Sequence, residues 1–244
     1  MRNSSYAAVA GLALAAVALA MLVALPSGPS ASPADPTTRR EATVTPAERQ
    51  PTRGAVTPTG RKRARIEWRE SKAIGLPYAG RLVDAVQLPS EGRHFFTWDP
   101  VFHRSPNRPW RRWGTDGLVR STLRVVRAFA AAHPGAPRVG IGDLSRRHGG
   151  DFGPRFGGIG HRSHQNGLDV DVYYPRLDRR ERSARSPAQV DRALAQDLVD
   201  RFVAAGALRV FVGPDVHLTG PPLIVQPLAH HDNHLHVRLP RSRA

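Results

Sequence analysis

The stretch Gly160-His161-Arg162-Ser163-His164-Gln165-Asn166-Gly167-Leu168-Asp169-Val170-Asp171 joins a polar, turn-forming front to the start of a strand. From Leu168 to Tyr173 the alternation sends Asp169, Asp171 and Tyr173 to one face and Leu168, Val170 and Val172 to the other. This predicts a half-buried strand with a polar working face. The pattern recurs near the C-terminus, where His231-Asp232-Asn233-His234-Leu235-His236 leads into a strand with His234, His236 and Arg238 on one face and Leu235, Val237 and Leu239 behind. Both segments therefore pair an apolar back with a front of histidine or carboxylate.

Outward from these stretches, Thr115 reads as an N-cap for a helix to about His133, with Leu118, Thr122, Val125, Val126 and Phe129 on one stripe. Pro134-Gly135 stops it. Arg138 to Asp143 reads as a strand, and 146–160 as a glycine-rich loop without the strand–loop–helix arrangement of a phosphate site. A second helix is expected from Ser186 as N-cap with Pro187 at its first position, carrying Val190, Leu194, Leu198 and Phe202 and ending at Gly206. Leu208 to Val212, Leu223 to Val225 and His234 to Leu239 read as further strands. Short strands interspersed with helices predict an α+β domain: a small, mostly antiparallel sheet with flanking helices.

The N-terminal quarter differs from the rest. Met1-Arg2 precedes an apolar run from Ala7 to Leu25, the pattern of a signal peptide or a membrane anchor. Residues 27–65 are rich in Pro, Thr, Ser, Ala and Arg without apolar periodicity, as in a disordered linker. The organisation expected is thus a targeting segment at 1–26, a linker at 27–65 and one folded domain at 66–244, exported to the periplasm or cell envelope. The absence of cysteine in all 244 residues excludes disulfides and a lipid carried on an N-terminal cysteine.

A net charge of +16 suits an anionic partner. Export makes an envelope polymer or membrane surface the expected one rather than nucleic acid; general solubilisation by arginine accounts equally for the charge. The aromatic, basic segment Arg93 to Trp113 can stack on bases or sugars, but packing into a core or cleft wall is the favoured reading.

The polar fronts carry the chemistry. His164 and Asp171, separated by a turn and a short strand, can point into one cavity, and His236 can reach it from the neighbouring strand. Two imidazoles and one carboxylate suit one Zn²⁺ ion, with the fourth tetrahedral position left for water, the arrangement of a catalytic rather than a structural site. His161, His231, His234 and Asp169 crowd the same two stretches.

The pattern Gly-His-x-Ser-His-Gln-x-Gly-Leu-Asp-Val-Asp at 160–171, with His-x-x-His-x-His-Val-Arg-Leu at 231–239, closely resembles the penicillin-insensitive murein endopeptidases, zinc peptidases of the group that includes D-Ala-D-Ala dipeptidases and lysostaphin-type enzymes. The likeness extends over roughly 71–239, through Ser71-Lys72-Ala73-Ile74-Gly75, Leu88-Pro89, Ile141-Gly142-Asp143 and Gly149-Gly150. It implies that His164, Asp171 and His236 hold zinc, that His231 stands where related dipeptidases place a glutamate base, and that His234 is a second essential histidine. Either of these two can be the general base. His161 is then an auxiliary ligand or a supporting group, Asp169 orients an imidazole, and Ser163 supports the site or the local turn. The activity implied is hydrolysis of D-alanyl-diaminopimelate-type cross-links in peptidoglycan. A carboxypeptidase or dipeptidase with the same zinc chemistry and a non-catalytic envelope-binding module are the rival readings. Two departures from the family are visible: the cysteines of well-known members are missing, and the segment between Tyr174 and Ser186 is crowded with arginine, so no second metal is expected.

Overall fold

The computed structural model describes residues 65–153 and 163–241. The targeting segment at 1–26, nearly all of the linker at 27–65, and His161 lie outside these residues. Along the chain the elements are β1 (Lys72–Leu76), β2 (Ala79–Val83), β3 (Val86–Gln87), β4 (Phe95–Thr97), β5 (Trp113–Gly114), α1 (Asp116–Ala132), β6 (Val139–Ile141), β7 (Asp169–Tyr173), α2 (Arg192–Ala204), β8 (Arg209–Val212), β9 (Val225–Pro227) and β10 (His234–Arg238). Among the described residues no helix is long and apolar enough to cross a membrane.

The fold is α+β. A six-stranded sheet has the order β4-β6-β7-β10-β8-β9, and small two-stranded sheets join β1 to β2 and β3 to β5. Pairing within the large sheet is antiparallel through its centre, β6 to β7 to β10 to β8, and parallel at each margin, β4 to β6 and β8 to β9. The two signature strands are therefore central neighbours. Their register sets His236 opposite Asp171, His234 opposite Tyr173 and Arg238 opposite Asp169.

The apolar backs of these strands build the core. Val170, Val172, Leu235 and Val237 are fully buried in one cluster with Val126 and Phe129 of α1 and Leu198 and Phe202 of α2. Each such side chain contributes about 1.5–3 kcal/mol by leaving water. Thr115 caps α1 as expected, its hydroxyl accepting from Leu118 N, and the whole predicted stripe is buried.

Two expectations are corrected. Strand β7 is buried on both faces, with Asp169 fully enclosed and Asp171 only 7% exposed, so it is not half-buried. The chain at Ser163 and His164 folds against Asp169 and His236 over its polar front, while Gly142 N donating to Asp171 O (2.8 Å) and Asp171 N donating to Asp143 O (2.9 Å) continue the pairing with the neighbouring strand. The second helix does not begin at Ser186. Residues Pro187–Gln189 form a separate 3-10 turn, and Asp191 caps α2 by accepting from Leu194 N. Val190 is held extended between them, paired with Arg176, while the Gln189 side chain accepts from Arg176 and from Arg185 N. Tertiary pairing thus takes the backbone that local capping preference would have made helical. Gly206, with φ +85°, ends α2 as anticipated.

Candidate active site

The turn before β7 places the first pair of functional side chains. His164 adopts a left-handed conformation (φ +71°), which costs a non-glycine residue some strain. It is held there at both ends. Its backbone N donates to Asp169 Oδ2 (3.2 Å), and its Nδ1 lies 2.6 Å from Leu144 O, on the connection after β6. With that hydrogen committed to a carbonyl, Nε2 is left facing Asp171 Oδ1 at 3.3 Å. Gly149 makes the turn's close packing feasible: with φ +70°, any Cβ there would come within 2.1 Å of Gln165 O.

His236 arrives from β10, as the strand alternation requires. Its Nε2 lies 3.0 Å from Asp169 Oδ1 and 3.2 Å from Ser163 Oγ, while Nδ1 lies 3.1 Å from Asp171 Oδ1. Asp169 also accepts from Arg238 Nε (2.8 Å), so one buried carboxylate sets the ring of His236, the guanidinium of Arg238 and the backbone of His164.

The donor set fits a metal ion. His164, Asp171 and His236 are all buried and bring one ligand atom each to within 4.8 Å of one another. The two spacings to Asp171 Oδ1, 3.1 and 3.3 Å, match the roughly 3.3 Å between ligands on a tetrahedron of zinc–nitrogen radius. The second ring nitrogen of each histidine is tied to an oxygen, the arrangement that fixes tautomer and direction in metal-binding imidazoles.

Electrostatics agree with a cation-seeking site. Burial alone would raise Asp169 and Asp171, but the surrounding imidazoles outweigh it: Asp169, hydrogen-bonded to His236, falls to about 2, and Asp171, beside His164 and His234, lies well below the usual carboxylate range. Both carboxylates are therefore ionised. Burial works against a charge on His236, yet its hydrogen bonds to the same carboxylates push it up to about 9. The field favours positive charge at the point where the ligand atoms meet.

His231 and His234 stand at the rim, their rings 4.8 Å apart. His234 Nε2 is 3.8 Å from Asp171 Oδ1, and its Nδ1 is 2.6 Å from Asn233 Oδ1. His231 Nδ1 is 2.9 Å from Ala229 O, and its backbone carbonyl accepts from the Tyr174 hydroxyl (3.1 Å). Burial lowers both pKa values, that of His234 to about 4, so each ring is neutral near pH 7 with Nε2 able to accept a proton. The structure thus gathers His164, Asp171, His236, His231, His234, Asp169 and Ser163 at one place; His161 lies outside the described residues.

Some supports were not legible beforehand. Leu144 O carries no side-chain signal. Arg111 and Asp143 form a fully buried ion pair under the β6–β7 corner, joined by Asn107 Nδ2, which donates to Asp143 Oδ1 (2.9 Å) and Gly142 O (3.0 Å). An arginine amid aromatic residues gave no indication of a buried partner forming that base. The predicted packing role of the aromatic segment holds for Phe95 and Phe96, whereas Phe102 is exposed beneath the guanidinium groups of Arg104 and Arg108.

Two cavities border the rim. One, of about 720 Å³, is lined by Tyr78, Gln165, Phe211, Leu228, His231 and His236. The other, of about 800 Å³, begins at Tyr173, whose ring lies 6.0 Å from that of His234. Tyr78 reaches the first because Gln165 N donates to Pro77 O (2.9 Å), docking the β1–β2 turn beside the site.

Comparison with known proteins places the chain in a family. The family profile described as penicillin-insensitive murein endopeptidase matches residues 73–210, which include His164 and Asp171; the histidines of β10 lie beyond the match and are added by the sheet. Curated proteins named penicillin-insensitive murein endopeptidase from Escherichia coli O157:H7, including strain EC4115 / EHEC, are 34% identical over 131 residues, 54% of this chain. The match spans 41% of the length of those relatives. With more than half of its length matched by the family profile, the chain belongs to the penicillin-insensitive murein endopeptidase family.

Proposed function

We propose that this protein is a zinc-dependent peptidoglycan endopeptidase that hydrolyses D-alanyl-diaminopimelate-type peptide cross-links. The observation that carries the reading is the meeting of His164, Asp171 and His236 beneath the neutral pair His231 and His234. His164 Nε2, Asp171 and His236 Nδ1 would hold one Zn²⁺ ion. When bound, the ion supplies Lewis acidity and brings the pKa of a coordinated water to about 7. The histidine pair does the proton work: an Nε2 takes a proton during attack on the scissile carbonyl and returns it to the departing amine. Asp169, Ser163 and Leu144 O keep the ligand rings aimed. Two separate cavities near the pair support an internal cut, since both halves of a cross-link need room.

The basic start and apolar run at 7–25 support export to the periplasm or cell envelope, by cleavage or by anchoring, with residues 66–244 as the peptidase domain. The net charge of +16 suits an anionic wall. The purified full chain should convert cross-linked muropeptides to monomers, lose this activity to a chelator, regain it with Zn²⁺ and ignore penicillin. Zinc-loaded protein that leaves the dimers intact ends the reading. Release of a terminal D-alanine from a pentapeptide, with dimers untouched, would make it a carboxypeptidase instead.

A further inference from the structure

We infer that the cavity beginning at Tyr173 is a carboxylate-binding subsite for the peptide being cut. This deepens the function proposed above and rests on it for the identity of the ligand.

The arginine-crowded segment between Tyr174 and Ser186 is organised so that its acidic residues are consumed locally. Arg176, only 4% exposed, donates Nε to Asp178 Oδ1 (2.7 Å) and Nη2 to Asp178 Oδ2 (2.6 Å). Arg138, from the start of β6, donates Nε and Nη2 to the two oxygens of Glu181, both at 2.7 Å. Two other arginines of the segment, Arg182 and Arg185, instead line the cavity. Arg182 comes no nearer than 3.6 Å to Asp178, and its buried Nε has no hydrogen-bond partner. Among the described residues no carboxylate pairs with the Arg185 side chain.

A further donor comes from another element. Trp98, just past β4, lines the same cavity with its ring edge-on to Tyr173, and its buried Nε1 has no acceptor. The cavity's one carboxylate, Asp232, accepts from Asp215 N (3.3 Å). The Arg185 guanidinium, with no carboxylate partner among the described residues, and the loosely paired guanidinium of Arg182 favour an anionic acceptor in this space, with the Trp98 indole N–H enclosed in its wall, and the planar fork of arginine fits a carboxylate. Because Tyr173 stands against His234, a peptide whose scissile bond lies at the histidine pair would send a neighbouring residue into this space. Peptidoglycan stem peptides present carboxylates there, and amidation would remove the charge the cavity is built to read.

The test is equilibrium binding of a synthetic stem tetrapeptide to the full-length protein by titration calorimetry, with its side carboxylates free or amidated. The free acid should bind the wild type about tenfold or more tightly than the amide, the scale of one charge-assisted contact. Arg185→Ala and Trp98→Phe should each cut that preference several-fold with unaltered thermal melting, and Arg182→Gln is the second guanidinium variant. Arg120→Ala, on α1 far along the chain, should leave it intact. Equal binding of acid and amide by the wild type overturns the inference, as does a loss in Arg120→Ala equal to that in Arg185→Ala, which would mark bulk charge. Muropeptide cleavage is measured in parallel. Cleavage without acid preference sinks the subsite and leaves the endopeptidase standing; an Arg185-dependent preference without cleavage does the reverse.

Discussion

The two faces of the β7–β10 ribbon divide ten backbone positions between them, and both are largely buried, yet they are closed by different physics. On one face Val170, Val172, Leu235 and Val237 meet the helices through dispersion and desolvation alone. On the other, Asp169, Asp171, His234, His236 and Arg238 are linked by directional contacts in which nearly every polar atom has an assigned partner. The apolar face tolerates another hydrophobic group of similar volume. The polar face does not, because moving one oxygen of Asp169 disturbs a ligand ring, an arginine and a strained turn together. Stability resides mainly on the first face and the candidate site on the second.

This contrast can be broken experimentally, beginning with the rim. His234→Ala should reduce turnover of cross-linked muropeptides by about 10²–10⁴-fold while the bound zinc, measured by elemental analysis, stays near one ion per chain. His231→Ala run alongside identifies the general base as the variant with the larger fall in turnover. Retained turnover in both would remove the histidine pair from the mechanism. On the back face, Leu235→Ala should cost about 2–5 kcal/mol in denaturant unfolding, with turnover per folded molecule preserved. Turnover collapsing ahead of stability would show that the two faces are not separable.

Asp169→Asn probes the join between the faces. Keeping the shape but removing the charge that holds His236 Nε2, it should weaken zinc affinity about 10–100-fold in a competitive chelator titration, with little change in melting. The smallest effect lies far from the site. Asp197 is opposed by burial, but hydrogen bonding from Arg201, with His133 nearby, lowers its pKa below 3.8. A lowered carboxylate pKa contributes stability that is present above the unfolded value and lost as pH falls through the folded one. Wild type should therefore lose up to about 1 kcal/mol more than Asp197→Asn on acidification below pH 3.8, read from unfolding midpoints. Parallel acid limbs would deny the pair any role.

Much of this was legible in the residues. Period-two alternation placed every candidate site residue of β7 and β10 on its face, and Thr115, Pro134 and Gly206 bounded helices as capping chemistry dictates. The start of α2 was misread because Ser186-Pro187 is a good local signal that loses to the pairing of Val190 with Arg176. The burial of Asp169 and Asp171 was underestimated because alternation reports which way a side chain points, not what later covers it.

The sequence by itself determined the candidate ligand residues, their spacing along each strand and the family, since these follow from local stereochemistry and residue identity. Tertiary structure alone decided that His236 faces Asp171 across a strand pair formed by segments 65 residues apart, that Leu144 O and Asp169 choose the ring nitrogens, and that an arginine-rich segment turns two of its cations toward a cavity beside the site. Register, backbone partners and unmatched charge are properties of packed surfaces, and no stretch of the chain encodes them alone.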